Sequence, residues 1–150
     1  NYTDCSDANM ASMLRHEHTV MALGDGGAHY GLICDASYTT HALTYWTRDR
    51  KGERWPLPWA IRQLTDVPAR TVGLGDRGRI QAGFKADLNV IDLDRLKVSA
   101  PRPVNNLPGG GRRLEQKADG YVATIVGGEV TYRDGDFTGA RPGRLVRGAR

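Results

Sequence analysis

The sequence lacks any run of eighteen apolar residues, which excludes a membrane-spanning helix. It also lacks a basic-then-apolar leader, and it starts at Asn1 rather than Met. The missing initiator Met gives the expectation of a fragment or a processed product. Cysteine is scarce: Cys5 and Cys34 are too few for a disulfide framework and lack metal-type spacing, so free thiols in a reducing, cytoplasmic compartment are expected. Charge of one sign is also scarce outside one segment. The formal net charge is +4, and residues 133–150 hold +3 of it, with Arg133, Arg141, Arg144, Arg147 and Arg150 against Asp134 and Asp136. Elsewhere the two signs intermingle. A solvated tail accounts for that distribution, and no nucleic-acid partner is expected because no recognition motif accompanies the charge.

What is present has globular proportions, 39% hydrophobic and 25% charged over 150 residues, enough for one ordinary core. The most informative stretch runs from Val20 to His29. Val20-Met21-Ala22-Leu23 reads as the end of a buried strand over residues 19–24, apolar on both faces as in a parallel sheet. Asp25 follows between Gly24 and Gly26, at the strand's C-terminal end, where α/β folds place their chemistry. The alternative for Asp25 is a turn cap. His29, four residues on, either orients Asp25 and meets substrate or is an ordinary loop histidine.

Met10, Met13 and Leu14 lie at helical spacing, so residues 7–17 are predicted helical with Ser6 or Asp7 as cap. Residues 26–39 read as a long loop anchored by Ile33 and Tyr38, and loops of that length are usually functional. A helix is expected over 39–50 with Leu43 and Trp46 or Thr47 inward. Pro56-Leu57-Pro58 opens another, with Trp59, Ile61 and Leu64 on its apolar side, and a short one is expected over 68–73 after Pro68. Residues 79–83 read as a short strand and turn, 87–92 as an alternating strand, and 100–113 as a loop. Residues 121–126 and 129–133 form a hairpin about Gly127-Gly128. Residues 134–150 lack periodicity and are expected to trail over the surface.

Three features are set aside. His16-Glu17-His18 mimics a metal motif, but it precedes the apolar run near a helix end, where the dipole favours histidine. Gly109 to Gly111 is not followed by Lys-Ser/Thr and does not read as a phosphate loop. Asp35, Ser37 and Tyr38 read as loop anchors, Asp87 and Asn89 as polar positions on a strand, and Trp46, Trp55 and Trp59 as packing residues. One strand with its flanking helices cannot close an α/β core, so the chain is expected to be the end of something larger.

Three blocks together resemble the C-terminal portion of the amidohydrolase superfamily, in its N-acyl-D-amino-acid deacylase (D-aminoacylase) branch. They are Leu23 to His29 with Ile33-Cys34-Asp35-Ala36-Ser37, then Gly78 to Asp92, similar to Gly-x-Ile-x-x-Gly-x-x-Ala-Asp-Leu, then Thr124 to Val130 with the stretch to Arg144. The resemblance implies an α/β chain: the C-terminal end of a (β/α)8 TIM-barrel metal-dependent hydrolase (residues 1–74), part of a small antiparallel β-sandwich (75–133) and a surface tail (134–150). It implies one or two divalent metals, usually zinc, that activate water against the amide of a small-molecule substrate. Asp25 matches the strand-eight aspartate that accepts the water's proton and in some members touches the metal. The remaining ligands lie upstream in that family, and a catalytic zinc takes about three protein ligands. The chain by itself is therefore expected to be inactive, needing its missing N-terminal barrel half or self-associating. The alternative is a non-catalytic α+β interaction module.

Overall fold

A computed structural model describes residues 6–23 and 27–147. Helix α1 (Asp7–Arg15) starts where predicted, the Ser6 side chain accepting from the Ala8 N–H. It is two residues shorter than expected. Of its apolar positions, Ala11 and Leu14 pack inward while Met10 and Met13 stay exposed.

Residues 19–23 are not a strand: no ladder partner pairs with them among the described residues. An apolar run becomes a strand only beside another strand, and here Met21 is instead buried against Ala42, Trp46 and Trp55. Helix α2 (Tyr38–His41) continues as a π-helical segment (Ala42–Asp49), burying Leu43 and Trp46 as the spacing predicted. Helix α3 (Leu57–Leu64) carries Pro at its start. Its most buried residue is Ala60; Trp59 and Leu64 are half-buried and Ile61 is exposed, so the expected apolar stripe is displaced by one position. The break before α4 (Asp66–Thr71) falls at Thr65, not at Pro68, which sits in the first turn where its missing N–H costs nothing.

The second half is built from eight short strands: β1 (Leu88–Ile91), β2 (Lys97–Val98), β3 (Arg102–Val104), β4 (Arg113–Glu115), β5 (Ala118–Asp119), β6 (Tyr121–Val126), β7 (Glu129–Arg133) and β8 (Asp136–Phe137). All pairings among the described residues are antiparallel. One sheet has the order β1-β6-β7-β8, and β2–β5 and β3–β4 are separate pairs. Gly127 and Gly128 both have positive φ, 59° and 87°, which the tight β6–β7 turn requires.

Three expectations are corrected here. Residues 79–83 turn without pairing and leave Ile80 91% exposed. Residues 100–113 are not simply a loop, because β3 and β4 pair Arg102 with Glu115 and Val104 with Arg113. The tail begins with β8, which pairs Tyr132 with Phe137 before the chain loses regular structure. The resulting architecture is mixed α/β with antiparallel sheets, and the described residues contain no parallel strand pair of the kind a barrel is made from.

Helices and sheet meet in one apolar cluster, Leu43, Ala60 and Leu96, joined by Ile91, Leu93 and Tyr121. Gly120 lets the sheet close on Leu96: at φ +95° a Cβ there would lie 2.6 Å from the Leu96 Cα, too near for any side chain. A second cluster, Met21, Ala42, Trp46 and Trp55, lies under the segment that leads towards Asp25.

A polar staple ties α1 to the π-helical segment. Arg50 donates from Nε and Nη2 to the two Asp7 carboxylate oxygens at 2.7 and 2.8 Å, and the Tyr45 hydroxyl donates to Oδ2 at 2.7 Å. The Arg50 and Tyr45 hydrogen bonds hold the Asp7 carboxyl well below the usual carboxylate range, while the hydrogen bond to Asp7 pushes the Tyr45 phenol up. A carboxylate whose folded pKa is depressed adds stability above its unfolded pKa of about 4, and that contribution is lost as pH falls below it. Asp7→Asn is therefore expected to flatten the decline of the melting temperature below pH 4. An unchanged acid limb in a pH series of thermal melts would contradict this role.

Candidate functional site

Asp25, with Gly24 and Gly26, lies outside the described residues, and the described part of the loop begins at Gly27. Gly27 has φ +93°, a left-handed conformation that residues with a Cβ rarely adopt, which favours glycine at this turn. His29 also takes a left-handed conformation, φ +53°, with its side chain exposed. Its carbonyl accepts from the Leu32 and Ile33 amides at 2.8 and 3.0 Å, closing the turn. A non-glycine residue at positive φ is uncommon and costs strain of about 1 kcal/mol or more, which neighbouring contacts must offset.

Those contacts come from the β3–β4 hairpin and its flank, a stretch expected to be only a loop. The Leu114 amide donates to the Tyr30 carbonyl at 2.7 Å. The Ser37 hydroxyl donates to Gln116 Oε1 at 2.7 Å, and Gln116 Nε2 donates to the Ser99 carbonyl at 3.0 Å. Further in, Thr40 and the Tyr121 hydroxyl share a hydrogen bond of 2.8 Å. The loop from Gly27 to Ser37 is thus fastened at both ends to the second half of the chain. Ser37 is a loop anchor as expected, but its partner is 79 residues away in sequence. A signal for the hairpin was present in the opposite charges of Arg102 and Glu115 flanking a Pro-Gly turn, where Arg102 donates to Glu115 at 2.6 Å.

Between loop and hairpin lies a cleft of about 340 Å³ that includes Gly27, Tyr30, Cys34, Arg113 and Lys117 in its lining. Cys34 is a free, half-buried thiol. Asp35 is exposed at the start of a 3-10 turn (Asp35–Ser37) and also borders the cleft.

His16-Glu17-His18 forms the turn that ends α1. Both Glu17 and His18 are more than four-fifths exposed, and His16 Nδ1 accepts from the His18 amide in a local turn at 3.2 Å. Among the described residues no three His, Cys, Asp or Glu side chains converge as metal ligands would. The described residues do not fit a catalytic zinc, which takes about three protein ligands, and no reaction step is assigned through one. Asp87 and Asn89 are structural: Asp87 accepts from the Gly127 amide at 2.8 Å, and Asn89 accepts from the Thr124 hydroxyl at 2.9 Å.

The Amidohydrolase family profile matches residues 4–132, a span that contains Asp25, the loop, the hairpin and most of the sheet. This chain belongs to the amidohydrolase family. An uncharacterized protein of Mycobacterium tuberculosis is 32% identical over 141 residues, covering 87% of this chain and 22% of the relative. The D-aminoacylase of Alcaligenes xylosoxydans xylosoxydans is 29% identical over 92 residues, 61% of this chain and 17% of that protein. The N-acyl-D-glutamate deacylase of the same organism is 43% identical over 47 residues, 31% of this chain and 10% of that protein. The chain thus spans about a fifth of the length of the mycobacterial relative. No solved structure matches it.

Proposed function

We propose that this chain is the C-terminal part of a metal-dependent amidohydrolase that hydrolyses a carbon–nitrogen bond outside peptides, the amide of N-acyl-D-amino acids, with Asp25 accepting a proton from the attacking water. The observation that carries the reading is the family match across residues 4–132, which includes Asp25. The names of two relatives, D-aminoacylase and N-acyl-D-glutamate deacylase, support the substrate class. In this reading the Asp25 carboxylate takes the proton that water must lose as it adds to the carbonyl, a transfer worth about 10²- to 10⁴-fold in rate. The loop that follows is held against the hairpin so that His29, exposed on its turn, faces incoming substrate. A divalent metal such as zinc would supply the activation of the water, and its ligands would come from upstream strands of the longer protein.

The partners in this reading are a small amide substrate and the rest of the barrel, not nucleic acid or a membrane, and the location is cytoplasmic. No helix among the described residues is long and apolar enough to cross a membrane. The test is a paired assay. The purified 150-residue chain with added zinc should leave N-acetyl-D-amino acids intact, and a longer gene product that includes the upstream region should hydrolyse them. A folded, metal-loaded longer product that cleaves none of them would overturn the assignment.

A further inference from the structure

The cleft between the Gly27–Ser37 loop and strand β4 carries more positive charge than its own surroundings neutralise. Glu115, the nearest carboxylate on β4, is engaged by Arg102 at 2.6 and 3.0 Å, and Arg113 reaches it only at 3.5 Å. Arg113 further donates to the Asn106 side chain at 2.7 Å and to the Leu114 carbonyl at 3.3 Å, which fixes its guanidinium at the cleft with part of its donor fork unspent. Lys117 lines the same cleft and forms no direct ion pair among the described residues, its charge acting on Glu115 only from a distance. On the acidic side the lining offers only Asp35. Within the lining, two cations, Arg113 and Lys117, thus face one carboxylate, Asp35.

The neutral polar groups at this surface are already satisfied in pairs, Ser37 with Gln116 and Thr40 with Tyr121, so the uncompensated feature is the charge. Tyr30, Ile33 and Leu114 supply apolar walls. At about 340 Å³ the cleft stands at the small end of ligand pockets, and apolar walls with a few convergent polar groups are what such pockets have. Gly27 lines it two residues beyond Asp25 in the chain.

We infer that this cleft is a carboxylate-binding subsite in which Lys117 supplies the charge and Arg113 the directed N–H donors. It takes the carboxylate end of the amide substrate. The identity of that substrate rests on the hydrolase reading; the binding of a small carboxylate does not. The β3–β4 hairpin then has two roles: it fastens the loop after Asp25 and presents the recognition charge beside it.

Binding can be measured on the 150-residue chain without turnover. Titration with N-acetyl-D-leucine, followed by amide NMR, should shift Leu114, Gln116 and Ser37, and N-acetyl-D-leucinamide, which lacks the charge, should not. Losing a hydrogen bond to a charged group corresponds to about tenfold or more in affinity, so Lys117→Ala is expected to weaken carboxylate binding by at least that, and Lys117→Arg to retain it. The Lys117 side chain bonds to no other described residue, so the melting temperature of both variants should match that of the parent. Equal binding of the neutral amide, shifts confined to another surface, no binding of either compound, or an unchanged affinity in Lys117→Ala would each overturn the subsite. A chain that binds the carboxylate through Lys117 while the longer product hydrolyses no N-acyl-D-amino acid would keep the subsite and remove the hydrolase reading.

Discussion

Asp25→Asn in the longer gene product is expected to lower kcat for N-acetyl-D-amino-acid hydrolysis by about 10³-fold, within the range that a positioned general base supplies. Asparagine has nearly the same shape and keeps one carbonyl oxygen, but it cannot take a proton at neutral pH. The substitution therefore removes the acceptor with little change in packing. Metal content measured on the same sample separates two roles. If Asp25 acts as proton acceptor alone, bound metal stays constant while kcat falls. If it also ligates the metal, bound metal falls too. A variant that keeps full activity would refute the assignment of Asp25. Gly24 and Gly26 flank Asp25 in the sequence, so neither chain neighbour brings a carboxylate of its own.

The second large effect is expected in the core. Trp55 is 2% exposed, stacks on Trp46 with ring centres 4.4 Å apart, and meets Trp59 edge-on at 5.0 Å. Its amide donates to the Trp46 carbonyl at 2.8 Å, so ring and backbone both hold the turn between the π-helical segment and α3. Arg50 lies over the outer face of Trp46, 4.9 Å from the ring centre, and Met21 completes the cluster. Removing a buried tryptophan leaves a cavity that rigid neighbours cannot fill, and Trp55→Ala should cost about 3–5 kcal/mol. That is a large share of the roughly 5–15 kcal/mol that holds a domain together. Trp59→Ala should cost visibly less, since Trp59 is only half-buried. Urea unfolding of the two variants checks this, and equal losses would contradict the central place given to Trp55. The effect bears on the site because Met21 packs on these rings four residues before Asp25.

How much could be read without the fold differs from element to element. The β6–β7 hairpin was legible because two glycines in a row mark the one turn that needs positive φ twice. Strand β1 was legible from the alternation in its sequence, although a bulge between Val90 and Ile91 breaks that alternation in the fold, and the helix over 38–49 from the spacing of Leu43 and Trp46. The apolar run at residues 19–23 misled, because hydrophobicity reports burial and not the partner that burial is against. Met21 is buried by tryptophans, not by strands. The β3–β4 hairpin was hidden for the opposite reason. Proline and glycine dominate residues 100–113, yet Pro103 sits in a two-stranded pair, where a proline can occupy the outward-facing side of the ladder.

Local chemistry was therefore determined by the sequence itself: a carboxylate between glycines, a loop after it, a family's pattern downstream, and a hairpin whose turn only glycine permits. Tertiary structure alone decided which distant groups accompany that loop. Tyr30 meets Leu114, Ser37 meets Gln116, and Lys117 comes to line the same cleft as Gly27, across separations of about eighty to ninety residues. Such pairings leave no periodicity to read, because they depend on how sheet and helices close around Leu96 and not on the spacing of any one segment.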